Sequence, residues 1–182
     1  MTFEKLNIDG PCIINLDKIN DERGFFARFF CQDELLKNGI NFSLKQINTT
    51  FTKSKGTIRG FHFQYPPKAE DKIIRCFKGS IFDTIVDLRH NSKTYGKSIS
   101  IVLNDSNKKM LYIPKGFAHA FQTLEENCEL LYLHSEVYNP LFEGGIIYND
   151  IDLNIDWPFP VSKISEKDLK NERLKNLKPF SI

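Results

Sequence analysis

Between about residue 11 and residue 138 the chain is a succession of short runs in which apolar and polar residues alternate, each closed by turn residues. A period of two sends successive side chains to opposite faces of a strand, and many such runs at short spacing predict an all-β sandwich or barrel. The predicted strands are Cys12–Leu16, Phe25–Phe30, Gln46–Thr52, Ile58–Gln64, Ile73–Lys78, Ser80–Leu88, Ser98–Leu103, Lys109–Ile113, Ala118–Leu124 and Glu129–Tyr138. Breaks fall at Asn20-Asp21, Pro66-Pro67, Lys78-Gly79, Asn91-Ser92, Asn104-Asp105 and Glu126-Asn127. A short helix is predicted near the N-terminus, capped by Asp33, carried by Glu34-Leu35-Leu36-Lys37 and stopped by Gly39. Near the C-terminus Ser165-Glu166-Lys167-Asp168 reads as a capping box opening a helix over Leu169–Leu177. One domain over residues 1–182 is expected. The tail from Gly144, with the sole tryptophan Trp157, is too short to fold alone and is expected to pack on the barrel.

Composition narrows the partners. The 16 phenylalanines predict an aromatic interior, and a net charge of +2 with no basic tail argues against a nucleic-acid polymer. No apolar run is long enough to span a bilayer or resembles a signal peptide, so a membrane is not an expected partner. Cys12, Cys31, Cys76 and Cys128 are scattered without CxxC spacing, which predicts free thiols in a cytoplasmic protein.

The chemistry concentrates in Lys55-Gly-Thr-Ile-Arg-Gly-Phe-His-Phe-Gln64, with Lys72 ten residues after His62. An isolated histidine is usually a satisfied core residue, but this one lies among cations. Arg59, three residues earlier, falls on the opposite face of a regular strand, and Lys72 returns beyond the Pro66-Pro67 turn. An imidazole with a pKa of about 6.5 takes a proton readily at cellular pH. A nearby ammonium keeps it neutral and stabilises a developing oxyanion. Along Ser80–Leu88, Asp83 and Asp87 share a half-apolar face, where they need partners or a wet cavity.

His119 lies in Pro114-Lys-Gly-Phe-Ala-His119, a Pro-x-Gly-x-x-His segment similar to that of cupins. Metal-binding cupins add a His-x-His pair, but the matching place reads His62-Phe63-Gln64, so no metal site is expected and His119 is assigned a hydrogen bond to substrate. Tyr132 and Tyr138, six residues apart, fall on one face of a regular strand. A phenol with a pKa of about 10 is protonated at neutral pH and suits a proton donor. Arg23, Arg28, Arg59, Lys72 and Lys167 are candidates to hold a diphosphate, with Arg23 and Arg59 favoured by a neighbouring glycine.

Taken in order, Asp21–Phe26, Gln46–Asn48, Gly56–Gln64, Lys72, Phe82–Arg89, Tyr95-Gly96, Ile113–Phe121, Glu143–Asp150 and Ser165–Asp168 give the chain its resemblance to the dTDP-4-dehydrorhamnose 3,5-epimerases. The resemblance implies a cupin-type jelly-roll barrel with short peripheral helices, a homodimer, a nucleotide-sugar substrate and no cofactor. It makes His62 the base, paired with Asp168 (Asp83 being the second choice), and Tyr132 the acid. Lys72 would lie against the C4 oxygen of a 4-keto-6-deoxy sugar. Arg23, Gln46, Asn48, Arg59, His119, Glu143 and Lys167 would line the pocket, with Arg28 at its rim and Tyr138 beside the acid. The chain departs from the family pattern at Arg28 (usually Glu), at Leu133-His134 (usually Lys-Thr), at Ala120 (usually Gly) and by one residue between Asn48 and Arg59. The departures point to a GDP- or CDP-linked sugar or a heptose. The competing readings are a C3-only epimerase, a 3,4-ketoisomerase, a non-catalytic sugar-binding jelly roll and a metal-dependent oxygenase.

Overall fold

Most of the strands carry apolar residues on one or both faces, and the sheets stack accordingly. Residues 1–178 are described by the structure, a computed structural model. The strands are β1 (Thr2–Lys5), β2 (Cys12–Asn15), β3 (Lys18–Asp21), β4 (Gly24–Ala27), β5 (Gln46–Thr52), β6 (Ile58–Gln64), β7 (Lys72–Lys78), β8 (Ser80–Asp87), β9 (Ser98–Asn104), β10 (Met110–Ile113), β11 (Phe117–Thr123), β12 (Cys128–His134) and β13 (Glu143–Gly145). They form a six-stranded sheet, β1-β2-β10-β7-β12-β5, facing a five-stranded sheet, β13-β6-β11-β8-β9, with β3-β4 as a separate hairpin. All the strand pairs are antiparallel. This is the expected cupin-like jelly roll.

Three apolar layers follow from strand parity. Ile74 and Cys76 of β7, Ile81 and Ile85 of β8, Phe121 of β11 and Leu130 of β12 meet between the sheets. The alternate residues Phe61, Phe63, Val86, Ala118 and Ala120 face outward beneath Ile146, Leu153 and Leu174 of the C-terminal segment, with Trp157 packed at the edge. On the far side Ile14, Ile73, Met110 and Leu133 are covered by Leu35, Ile40 and Phe42. Strands buried on both faces read as nearly continuous apolar runs, such as Lys72-Ile-Ile-Arg-Cys-Phe77.

Several expected boundaries move. The helix α1 (Gln32–Lys37) has Cys31, not Asp33, at its N-cap, and no side chain caps it. Asp33 lies in the first turn, where its negative charge interacts favourably with the positive end of the helix dipole. Gly39, at φ +81°, ends the helix as expected. At the C-terminus Ser165 Oγ does accept from Asp168 N at 3.0 Å, but α2 spans only Glu166–Leu169. The rest of the predicted Leu169–Leu177 helix is drawn into tertiary pairing: Ile147 N donates to Glu172 O and Leu174 N to Asp150 Oδ2 at 2.6 Å. Strand β4 stops at Ala27, so Phe29 and Phe30 lie outside the sheet and pack near Phe42. The predicted Glu129–Tyr138 strand ends at His134. The short strands β1, β3 and β13 were not predicted; β13 contains two glycines and is held by pairing with β6.

The paired aspartates of β8 find the partners they require. Asp83 is fully buried against His119. Asp87 accepts from Arg89 Nε at 2.9 Å, Ser92 Oγ at 2.6 Å and Thr94 Oγ1 at 2.6 Å. Burial would raise the Asp87 carboxyl, but these donors outweigh it and hold its pKa below the ordinary value.

Candidate active site

Between the sheets lies a cavity of about 560 Å³, within the range of small-molecule sites. The five-stranded sheet contributes Arg59 and His62 from β6, His119 and Phe121 from β11, and Glu143 from β13. From the six-stranded sheet come Asn48 and Thr50 of β5, Lys72 of β7, and Tyr132 and His134 of β12. Tyr138 and the Lys163–Asp168 segment close the rim. That segment is tied down where Ile58 N donates to Lys163 O at 2.9 Å.

Asp168, not Asp83, holds His62. His62 Nε2 lies 2.7 Å from Asp168 Oδ1, and Gly60 N donates to Asp168 Oδ2 at 3.2 Å. Burial would raise the Asp168 carboxyl, but the His62 hydrogen bond and charge outweigh it, and its pKa lies below the ordinary value. The carboxylate therefore accepts from Nε2–H and leaves the His62 Nδ1 lone pair as the basic site.

Arg59 and His62 share the cavity, against the expectation that they take opposite faces. The register of β6 against β11 pairs His119 with His62 and Phe121 with Arg59, so Gly60 and Phe61 of β6 oppose Ala120 alone of β11. The extra residue restores common parity. Gly60, at φ +116°, sits at this bulge.

Tyr132 faces the cavity from the opposite sheet. Burial, with the Asp83 charge, pushes its phenol well above the ordinary value, while Thr50 and Arg59 oppose the shift only in part. Lys72 arrives on β7, in the sheet facing His62 rather than on a neighbouring strand, and its Nζ donates to the His62 carbonyl at 3.4 Å. His119 directs Nε2 to both Asp83 oxygens, at 2.9 and 3.0 Å, so only Nδ1 remains for a ligand.

At the rim, Tyr138 Oη donates to Glu143 Oε2 at 2.8 Å, and Lys167 Nζ donates to the same oxygen. Burial raises the Glu143 carboxyl, but Lys167 and Tyr138 outweigh it and lower it on balance. Gln46 stands just behind this layer. Its Nε2 donates to Asn48 Oδ1 at 3.1 Å and its Oε1 accepts from Tyr138 N at 3.2 Å.

Besides Gln46, two assigned residues are not among those lining the cavity. Arg23, 84% exposed at its side chain, pairs with Asp21 beside the β3-β4 turn, and Arg28 pairs with Glu34 of α1. Of the other departures, Leu133 and Ala120 are buried in the outer apolar layers, and only His134 enters the cavity. Glu70 and His134 were not assigned from sequence. His134 was legible by parity, two residues beyond Tyr132 on the same face.

A jelly roll with charged and phenolic groups from both sheets converging on an internal cavity defines a cupin-type enzyme. The chain belongs to the dTDP-4-dehydrorhamnose 3,5-epimerase family, an isomerase family whose sequence profile matches residues 5–176. It is 40% identical over 169 residues to the dTDP-4-dehydrorhamnose 3,5-epimerase of Methanothermobacter thermautotrophicus, covering 91% of this chain and 90% of the relative. Among solved structures it superposes, at a TM-score of 0.91 and 33% identity, on the dTDP-6-deoxy-D-glucose-3,5-epimerase of Legionella pneumophila in complex with dTDP-4-keto-L-rhamnose, covering 97% and 94% of the two chains. It also superposes, at a TM-score of 0.87 and 27% identity, on ChmJ, a 3'-monoepimerase of Streptomyces bikiniensis in complex with dTDP-quinovose, covering 94% and 87%.

Proposed function

We propose that this epimerase inverts C3 and C5 of a dTDP-linked 4-keto-6-deoxy sugar, with His62 as base, Tyr132 as acid and Lys72 as the group that stabilises the enolate. A dTDP-linked sugar is favoured over the GDP- or CDP-linked sugar or heptose suggested by the departures, since Arg28, Ala120 and Leu133 do not line the cavity. The observation that carries the reading is the carboxylate-held imidazole of His62 and the buried phenol of Tyr132 approaching one cavity from opposite sheets. The C4 ketone acidifies the hydrogens at C3 and C5. His62 Nδ1 takes one of these protons, and the electron pair left on carbon delocalises onto the C4 oxygen beside the Lys72 ammonium, where charge appears only during reaction. Tyr132 then gives its proton to the opposite face of that carbon, so the centre inverts. The imidazolium releases its proton and the phenolate regains one by exchange with water, which resets both groups. Arg59, Asn48, Gln46, His119, Glu143, Tyr138 and Lys167 are proposed to hold the nucleotide sugar.

Proton NMR in heavy water with dTDP-, GDP- and CDP-linked 4-keto-6-deoxy sugars tests this reading. Deuterium should enter C3 and C5 of the dTDP sugar while the carbonyl stays at C4. Exchange at C3 alone would make it a monoepimerase, and a migrating carbonyl would make it a ketoisomerase. The raised Tyr132 phenol stays protonated at neutral pH, so kcat/KM should show no loss from phenol ionisation until above pH about 10. Tyr132→Phe should still exchange deuterium at the His62 face while losing inversion.

The proposed assembly is a homodimer. The β3-β4 hairpin leaves Ile19 and Phe26 69% and 71% exposed, and a second copy seated there would also give Arg23 and Arg28 a route to the partner's cavity. A stable monomer in sedimentation at working concentration would refute it. The cytoplasm is the proposed location, in keeping with four unpaired cysteines.

A further inference from the structure

The cavity wall beside Lys72 contains a carboxylate–imidazole pair that the proposed reaction leaves without a role. His134 Nδ1 lies 2.8 Å from Glu70 Oε2, and Lys72 Nζ lies 3.3 Å from Glu70 Oε1. The three side chains are only 9% to 12% exposed. One buried carboxylate thus holds an ammonium with one oxygen and an imidazole N–H with the other. Burial would raise the Glu70 carboxyl, but the His134 hydrogen bond and the Lys72 charge outweigh it, so Glu70 is ionised at neutral pH.

The tautomer follows from the partners. An ionised Glu70 only accepts, so His134 carries its proton on Nδ1 and presents a lone pair at Nε2. Asn48 Nδ2, a donor, lies 3.4 Å from that Nε2. The imidazole ring also stacks beside Tyr132, with centroids 6.0 Å apart and planes 15° apart. Lys72 has three N–H donors. Glu70 takes one and the His62 carbonyl a second, which leaves the third for the cavity. A free lysine side chain loses rotamer entropy when it is fixed. Glu70 fixes it before substrate arrives, and His134 stops Glu70 from turning both oxygens onto Lys72 and neutralising it further.

We propose that Glu70 and His134 are positioning residues that orient the Lys72 ammonium and set how strongly it stabilises enolate charge. The proposal rests on the enolate role given to Lys72 above. The test compares His134→Ala, His134→Gln, Glu70→Ala and the double alanine variant with wild type. Deuterium exchange into dTDP-4-keto-6-deoxyglucose gives kcat and KM, and calorimetric titration with dTDP counts competent sites. Each single alanine variant should lower kcat per competent site by at least about tenfold, the scale on which outer-shell partners act, with KM and dTDP affinity changed less than about threefold. The double variant should lose no more than the worse single one, because the two act as a unit. His134→Gln, which keeps an N–H toward Glu70, should recover most of kcat. Unchanged kcat in the single variants, a loss confined to KM or to the number of competent sites, or additive losses in the double variant would overturn the pair while leaving the epimerase reading intact. Wild-type protein that exchanges no deuterium would overturn both.

Discussion

His62→Ala is expected to lower deuterium exchange at the carbons flanking the ketone by about 10³- to 10⁴-fold, toward the upper end for loss of a general base. The expectation rests on geometry. Asp168 Oδ1 lies 2.7 Å from His62 Nε2, which fixes the ring and leaves Nδ1 as the proton acceptor. Tyr132 cannot take over, because burial holds its phenol protonated. Binding of dTDP should be little changed, since the proposed nucleotide contacts lie on other residues. Asp168→Asn should act in the same direction with a smaller loss, because an amide can still orient the ring but stabilises the imidazolium less. If His62→Ala exchanged deuterium within about tenfold of wild type, a smaller loss than the removal of a general base produces, the assigned base would be wrong.

The second large effect is on folding. Gly60→Ala is expected to destabilise the protein by more than about 4 kcal/mol, which exceeds most point substitutions. A Cβ at Gly60 would stand 2.5 Å from the His119 carbonyl oxygen and 2.6 Å from Ala120 Cα and Cβ. These contacts are mostly backbone, so no side-chain rotation relieves them, and φ +116° is unfavourable for any L-residue. The same position donates to Asp168 Oδ2, so any survivor should also lose His62 orientation. Adding Ala120→Gly removes one of the three close contacts and should recover only part of the stability. Denaturant melts measure both variants. A loss below about 1 kcal/mol, the ordinary cost of a point substitution, would mean that β6 and β11 can separate at the bulge.

The alternation of Ile58–Gln64 and Ser80–Leu88 was enough to place two central strands and to require partners for Asp83 and Asp87, because side-chain parity in a strand depends only on local backbone geometry. Ser165 was legible as a cap for the same reason: its oxygen reaches an N–H three residues away. The predicted continuation to Leu177 was not reliable, because Glu172 and Leu174 exchange helix bonds for pairing with Ile147 and Asp150. That competition is between segments about 24 residues apart, and no local pattern encodes it.

The residue types alone were enough for the sheet class and for singling out the imidazole, phenol and ammonium as candidates, since these depend on short-range periodicity and intrinsic acidity. Only the fold decided which groups meet. One additional residue in β6 turned Arg59 to the side of His62. Pairing across chain separations gave His62 to Asp168 and His119 to Asp83. The stacking of two sheets set Tyr132 opposite His62, left Arg23 and Arg28 outside, and brought in Glu70 and His134. Long-range register and burial govern these outcomes, and both are properties of the assembled sheets rather than of any single strand.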